Sequence, residues 1–152
     1  ASGIAPLRMW IDKGVKVGLG VDGSSSNDSG YLLNEARQAM LLQRVNLGAN
    51  KFSPREALFT ATRGGAEVLN RNDIGQISVG KAADFAIYDL NKIAMSGAWS
   101  DPLAALVLCT PAETAYTICN GEVISQNGHL NNFDLNLCLE KHKVASKRLL
   151  DL

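Results

Sequence analysis

The chain has 152 residues, of which 46% are hydrophobic and 20% charged, and its 15 basic side chains are balanced by 15 acidic ones. This is enough apolar material for a folded core and excludes general disorder. With no net charge there is no field to gather phosphate backbones or anionic lipid, and no apolar run approaches the roughly 18 residues of a membrane span, so neither nucleic acid nor membrane is an expected partner.

The start, Ala1-Ser2-Gly3-Ile4, carries neither an initiator Met nor a basic leader, which leads us to expect a piece of a longer protein. Cys109, Cys119 and Cys138 form no C-x-x-C pair, and reduced thiols in a cytoplasmic core are expected. His129 and His142 are the only histidines, and their spacing does not suit one metal-binding helix face.

Residues 6–13 carry Leu7, Met9, Trp10 and Ile11 and stop at Gly14, which predicts a short helix closed by a left-handed glycine. Residues 15–21 alternate Val15, Val17, Leu19 and Val21 with Lys16, Gly18 and Gly20, a strand period with glycines where something packs close. A helical stripe of Leu32, Leu33, Ala36, Ala39, Met40, Val45 and Leu47 follows over residues 28–47, with Glu35 and Arg37 on other faces and Asn27, Asp28 or Ser29 as cap. Ser53-Pro54-Arg55-Glu56 is a capping box with proline at the first helical position, opening a helix that should stop near Gly64-Gly65.

A polar cluster at residues 70–73 marks the main boundary. Strand-like runs at 76–79, 84–88, 114–119 and 122–125 come after it, with Asn120-Gly121 as a two-residue hairpin turn between the last two. Asp101-Pro102 should open a helix through Leu108, and residues 134–152 a final one with Lys141, Lys143, Lys147 and Arg148 toward its cation-favouring end.

The run from Gly18 to Gly23 matches G-x-G-x-x-G literally, but its glycines lie within the strand, Ser24-Ser25-Ser26-Asn27 delays any helix, and no acid stands about 20 residues on to hold a ribose. A phosphate cradle at Gly64-Gly65 fails because Ala66-Glu67 follows where Lys-Ser or Lys-Thr is needed. More informative is Asp22, a carboxylate at the tip of a strand, where α/β sheets and barrels place chemistry; an ordinary turn-capping role is the alternative for it and for Ser24 and Asn27.

Four segments together carry a resemblance: residues 17–29 around Val21-Asp22-Gly23-Ser24, residues 61–69 around Arg63-Gly64-Gly65-Ala66, residues 75–85 from Gly75-Gln76-Ile77 to Ala83-Asp84-Phe85, and Ile118-Cys119-Asn120-Gly121-Glu122-Val123. The chain resembles the C-terminal part of an amidohydrolase-superfamily enzyme, in the branch of metal-dependent ring deaminases and chlorohydrolases, and Ser2-Gly3-Ile4-Ala5-Pro6 also fits its 8-oxoguanine deaminase group.

The resemblance implies an α/β fold. Residues 1–70 would be the last strand and helices of a (β/α)8 barrel, 71–133 part of a composite β-sandwich, and 134–152 a closing helix. It implies hydrolysis of a carbon–nitrogen bond on a purine-like or triazine-like ring by a metal-activated water. Asp22 would be both metal ligand and catalytic base, with Ser24 and Asn27 near the substrate. One divalent metal, zinc ahead of iron, is expected in the complete enzyme and none in the isolated chain, which lacks counterparts of the family's histidine ligands and is expected to be inactive alone. A small heterocycle is then the expected partner, together with a homo-oligomer pairing the Val17 strand or burying Leu33 and Met40 across a two-fold axis. The rival reading is a noncatalytic β-rich binding or assembly module.

Overall fold

Ser53 and Pro54 begin a helix as their chemistry requires in the computed structural model, which describes residues 3–109 and 112–150. In helix α3, Pro54–Phe59, the Ser53 hydroxyl accepts from the Glu56 amide, while the Glu56 carboxylate accepts from the Ser53 amide at 2.7 Å. Two otherwise orphaned donors are thereby satisfied. Arg8, on helix α1 (Leu7–Asp12), reaches the same carboxylate at 2.5 Å and Asp12 at 2.7 Å. Burial by itself would raise the Glu56 pKa, but the Ser53 hydrogen bonds and the Arg8 guanidinium together hold it below the usual glutamate value.

The chain divides into two units, Ala1–Ala82 with Asp89–Ala112, and Ala83–Tyr88 with Glu113–Leu152. The first is helical. Its core is Leu7, Ala36, Ala39, Met40, Phe52, Ala57 and Val107, where α1, α2 (Leu32–Leu47), α3 and α5 (Pro102–Leu108) meet. Asp101 caps α5 by accepting from the Ala104 amide, as its sequence predicts. Gln43 is buried in this apolar setting because both ends of its amide are used, one donating to the Ala5 carbonyl and the other accepting from the Arg8 amide. The Tyr31 hydroxyl likewise bonds both the carbonyl and the amide of Ala112.

Several expectations need correction here. Residues 15–21 are extended but join no ladder among the described residues, since alternation supplies a pleat and not the neighbouring strands whose hydrogen bonds make a sheet. Residues 76–79 likewise form no strand. Helix α2 starts at Leu32 with Tyr31 at its N-cap and no side-chain cap, because the Asn27 side chain is engaged elsewhere. Gly64-Gly65 does not stop the helix: α3 continues through a π-helical turn, Thr60–Gly64, into α4, Gly65–Val68. Met40 is fully buried in the first unit's own core and Leu33 is half-buried, so the expected two-fold contact on these residues is not available at Met40.

The second unit carries an antiparallel sheet in the order β1-β2-β3-β4, from Phe85–Tyr88, Thr114–Cys119, Glu122–Gln126 and His129–Leu130. Cys119 faces Glu122 across the first hairpin, whose turn residues Asn120 and Gly121 have φ of 50° and 85°, the positive pair that a tight hairpin needs. The Asp84 carboxylate accepts from the Asn120 amide at 2.7 Å and fixes this turn. Helix α6, Leu135–Leu150, starts behind Asp134, which accepts from the Leu137 amide, and none of its residues is buried. Asp151 and Leu152, also expected in that helix, lie outside the described residues. All three cysteines are free, but Cys119 and Cys138 are exposed and only Cys109 is half-buried, which corrects their placement in a core. Among the described residues no helix is long and apolar enough to cross a membrane.

Candidate functional site

The extended segment before Asp22 lies on the helix formed by α3, the π turn and α4. Leu19 donates its amide to the Thr60 carbonyl, in the π turn, at 3.3 Å. A β-carbon on Gly64 would stand 2.3 Å from the Val17 carbonyl oxygen, and one on Gly18 would stand 2.9 Å from the Gly65 α-carbon. Both values are below any real contact, so glycine at these positions is what lets the extended segment and the helix backbone meet. That role replaces the helix stop expected for Gly64-Gly65.

At the end of this seated segment the backbone of Asp22 turns into the left-handed region, with φ of 65°. Non-glycine residues adopt it at a cost, and aspartate tolerates it better than most. The turn lets one carboxylate oxygen, Oδ1, accept from the Gly23 amide at 2.7 Å, leaving Oδ2 without a partner among the described residues. Asp22 is exposed, as are Ser24, Ser25 and Ser26.

Beyond it the loop closes on itself. The amides of Ser26 and Asn27 both donate to the Gly23 carbonyl, at 2.9 and 3.0 Å. The half-buried Asn27 side chain accepts from the Ser29 amide at 3.1 Å and donates through Nδ2 to Glu35 Oε1 at 2.7 Å. Asp22 and Asn27 are thus linked through Gly23, while Ser24 stands on the same turn with no hydrogen bond placing it against either. Sequence reading set Glu35 aside as a residue of another helix face. Its link to Asn27 depends on the path of residues 28–31, which no periodicity encodes.

A lone carboxylate oxygen suits a divalent cation, and Asp22 Oδ2 meets that requirement, but a zinc site takes about four donors. Among the described residues no three His, Cys, Asp or Glu side chains come together to hold a metal, and His129 and His142 are exposed in the second unit. Asp22 therefore fits as one ligand of such a site and not as the whole of it. A surface hollow of about 480 Å³ is lined by α6 residues, including Leu137, Lys141 and Arg148.

Comparison with known proteins places these features in a family. The model of the amidohydrolase family matches residues 1–124. The chain belongs to the amidohydrolase family. It is 41% identical over 150 residues to 8-oxoguanine deaminase of Pseudomonas aeruginosa, covering 99% of this chain and 33% of that protein. A mutant of atrazine chlorohydrolase TrzN from Arthrobacter aurescens, solved with zinc and atraton, superposes with a TM-score of 0.85 at 35% identity over 93% of this chain and 32% of that one. An adenosine deaminase from Xanthomonas campestris with bound zinc gives a TM-score of 0.90 at 25% identity, over 99% and 35%. The chain therefore spans about a third of the length of the relatives it matches, and its mixed helices and four-stranded antiparallel sheet correspond to that third.

Proposed function

We propose that this amidohydrolase-family chain is the C-terminal third of a metal-dependent hydrolase that cleaves a carbon–nitrogen bond on a purine-like or triazine-like ring. Residues 1–70 would close a (β/α)8 barrel with the extended segment 15–21 as its last strand, 71–133 would contribute to a β-sandwich beside it, and 134–152 would form a closing helix. The observation that carries the reading is Asp22. Among the described residues it is the one charged residue of the five non-glycine positions with positive φ, the other four being Asn70, Asn120, Asn127 and Asn132. Strained backbone at the end of an extended segment, seated on glycines and ending in a free carboxylate oxygen, is costly for a turn and useful for a site.

Asp22 would supply one ligand to a divalent cation, with zinc favoured because both solved relatives described above hold zinc. When bound, the cation supplies Lewis acidity, which lowers the pKa of water toward about 7. The work of Asp22 is the proton. The carboxylate accepts it as a water oxygen bonds to the ring carbon, and returns it to the nitrogen as the carbon–nitrogen bond breaks, while the Gly23 N–H bond to Oδ1 fixes the direction of the group. Ser24 and Asn27, on the loop that follows, would border the ring.

In the complete enzyme Asp22→Asn should fold normally, because asparagine also tolerates positive φ, yet lose orders of magnitude in kcat. Activity within about threefold of wild type would remove Asp22 from the mechanism. The 152-residue chain, dialysed and assayed for metal, should show no stoichiometric zinc and no turnover. Tight zinc lost on changing His129 or His142 would overturn the ligand assignment.

A further inference from the structure

We infer that Glu35 is a positioning residue for the Asp22 loop, acting through Asn27; its bearing on catalysis rests on the reading of Asp22 above. Glu35 lies in the first turn of α2, half-buried, and touches neither Asp22 nor any residue between Asp22 and Ser26 by hydrogen bond. Its partner is the Asn27 carboxamide. That contact, at 2.7 Å, is a hydrogen bond to a carboxylate and so among the stronger kinds.

Asn27 has two jobs that Glu35 controls. Its backbone amide donates to the Gly23 carbonyl, the residue whose own amide holds Asp22 Oδ1, so the placement of Asn27 sets the closure of the turn next to the carboxylate. Its side chain is also oriented, because Glu35 accepts only from a donor. With Nδ2 turned to Glu35 and Oδ1 to the Ser29 amide, the carboxamide cannot flip without losing both bonds. The loop of exposed serines is therefore anchored at one end by the glycine-seated segment and at the other by α2, whose Ala36, Ala39 and Met40 are fixed in the core. One hydrogen-bond donor hydrogen and one acceptor lone pair of Asn27 remain for a ligand, in a fixed order.

The test needs no metal in its first arm. In the 152-residue chain, Glu35→Ala should speed amide exchange at Ser26, Asn27 and Ser29 by about tenfold or more, as loss of a charge-assisted bond requires. Ala39 and Met40, farther along α2, should stay within about twofold. Glu35→Gln keeps an acceptor oxygen and should restore slow exchange. Asn27→Ala should match Glu35→Ala at Ser26 and Asn27 and exceed it at Ser29, whose amide also loses its acceptor, and adding Glu35→Ala to Asn27→Ala should change nothing further, because one interaction cannot be lost twice. Unchanged exchange in Glu35→Ala, equal acceleration through α2, or additive single effects would each overturn the inference.

The second arm is turnover of the complete enzyme. Glu35→Ala should lower kcat about tenfold, with Glu35→Gln recovering most of it; full turnover from a loosened loop would overturn the positioning role. If Asp22→Asn leaves turnover intact, the proton assignment fails on its own, and the exchange data still decide whether Glu35 holds the loop.

Discussion

Gly64 and Gly65 are adjacent and both helical, with φ near −60°, so backbone conformation gives no reason for glycine at either. Their surroundings differ completely. A β-carbon at Gly64 would lie 2.3 Å from the Val17 carbonyl oxygen and 3.3 Å from that of Phe59, whereas one at Gly65 would meet nothing within 4 Å. The clash at Gly64 is with backbone on both sides, so it cannot be relieved by a rotamer change, and the segment carrying Val17 must move out by about 1 Å to reach ordinary contact. Overpacking of this kind costs about 3 kcal/mol at the upper end of the usual range. The gain in helix propensity from glycine to alanine returns about 1 kcal/mol. Gly64→Ala should therefore destabilise by about 2 kcal/mol, while Gly65→Ala, with the same propensity gain and no clash, should stabilise by about 1 kcal/mol or less. Urea unfolding followed by tryptophan fluorescence reads the right part of the molecule, since both tryptophans, Trp10 and Trp99, belong to the helical unit. A Gly64→Ala chain as stable as Gly65→Ala would refute the close seating of residues 17–18 on this helix.

At the positive φ of Asp22, glycine should be more stable than alanine by about 1–2 kcal/mol, read as the difference between Asp22→Gly and Asp22→Ala in the same denaturant titration; equal stability would mean that the left-handed turn is not formed. The lowered pKa of Glu56 means that the unfolded chain binds its proton first as pH falls, so the stability it contributes is present above the ordinary glutamate value of 4.5 and is lost as pH drops through the lower folded value. Unfolding midpoints taken from pH 6 to 3 should show that loss in the wild-type chain and a flatter profile in Glu56→Gln, and parallel profiles would remove the Arg8–Glu56–Ser53 cluster as its cause.

Local chemistry was the legible part. Ser53-Pro54-Arg55-Glu56, Asp101-Pro102 and Asn120-Gly121 each specify a start or a turn from within a few residues, and each stands where its sequence places it. The extended segment at 15–21 shows the limit: alternation of Val17 and Leu19 with glycine is real, yet Gly18 meets a helix more than forty residues later in the chain, while Gly20, also expected at a close approach, has nothing within 4 Å. Pairing of that sort is invisible to periodicity. For the same reason Asp22 could be singled out from its place after an alternating run, whereas Glu35 could not, since its partner is set by a loop path and not by a spacing. The start of α2 lies beyond the expected caps because the Asn27 side chain is committed to the loop, bonding Ser29 N–H and Glu35, and the helix opens only at Leu32.

The π-helical turn at Thr60–Gly64 has a consequence for insertions and deletions. It closes five residues by wider hydrogen bonds than the α-helices on either side, which is how a helix absorbs one extra residue without breaking. Removing one residue, at Ala61 or Thr62, should let α3 and α4 fuse into a regular helix with no local strain. The fused helix would nonetheless be wrong, because each residue of an α-helix advances the face by about 100°. If Ala57 stayed in the core, Gly64 and Gly65 would swing away from Val17 and Gly18; if the glycines stayed, Ala57 would leave the core. The single surplus residue keeps two faces of one helix in register with two different neighbours, so a change that makes this helix more ideal would unseat the segment leading to Asp22.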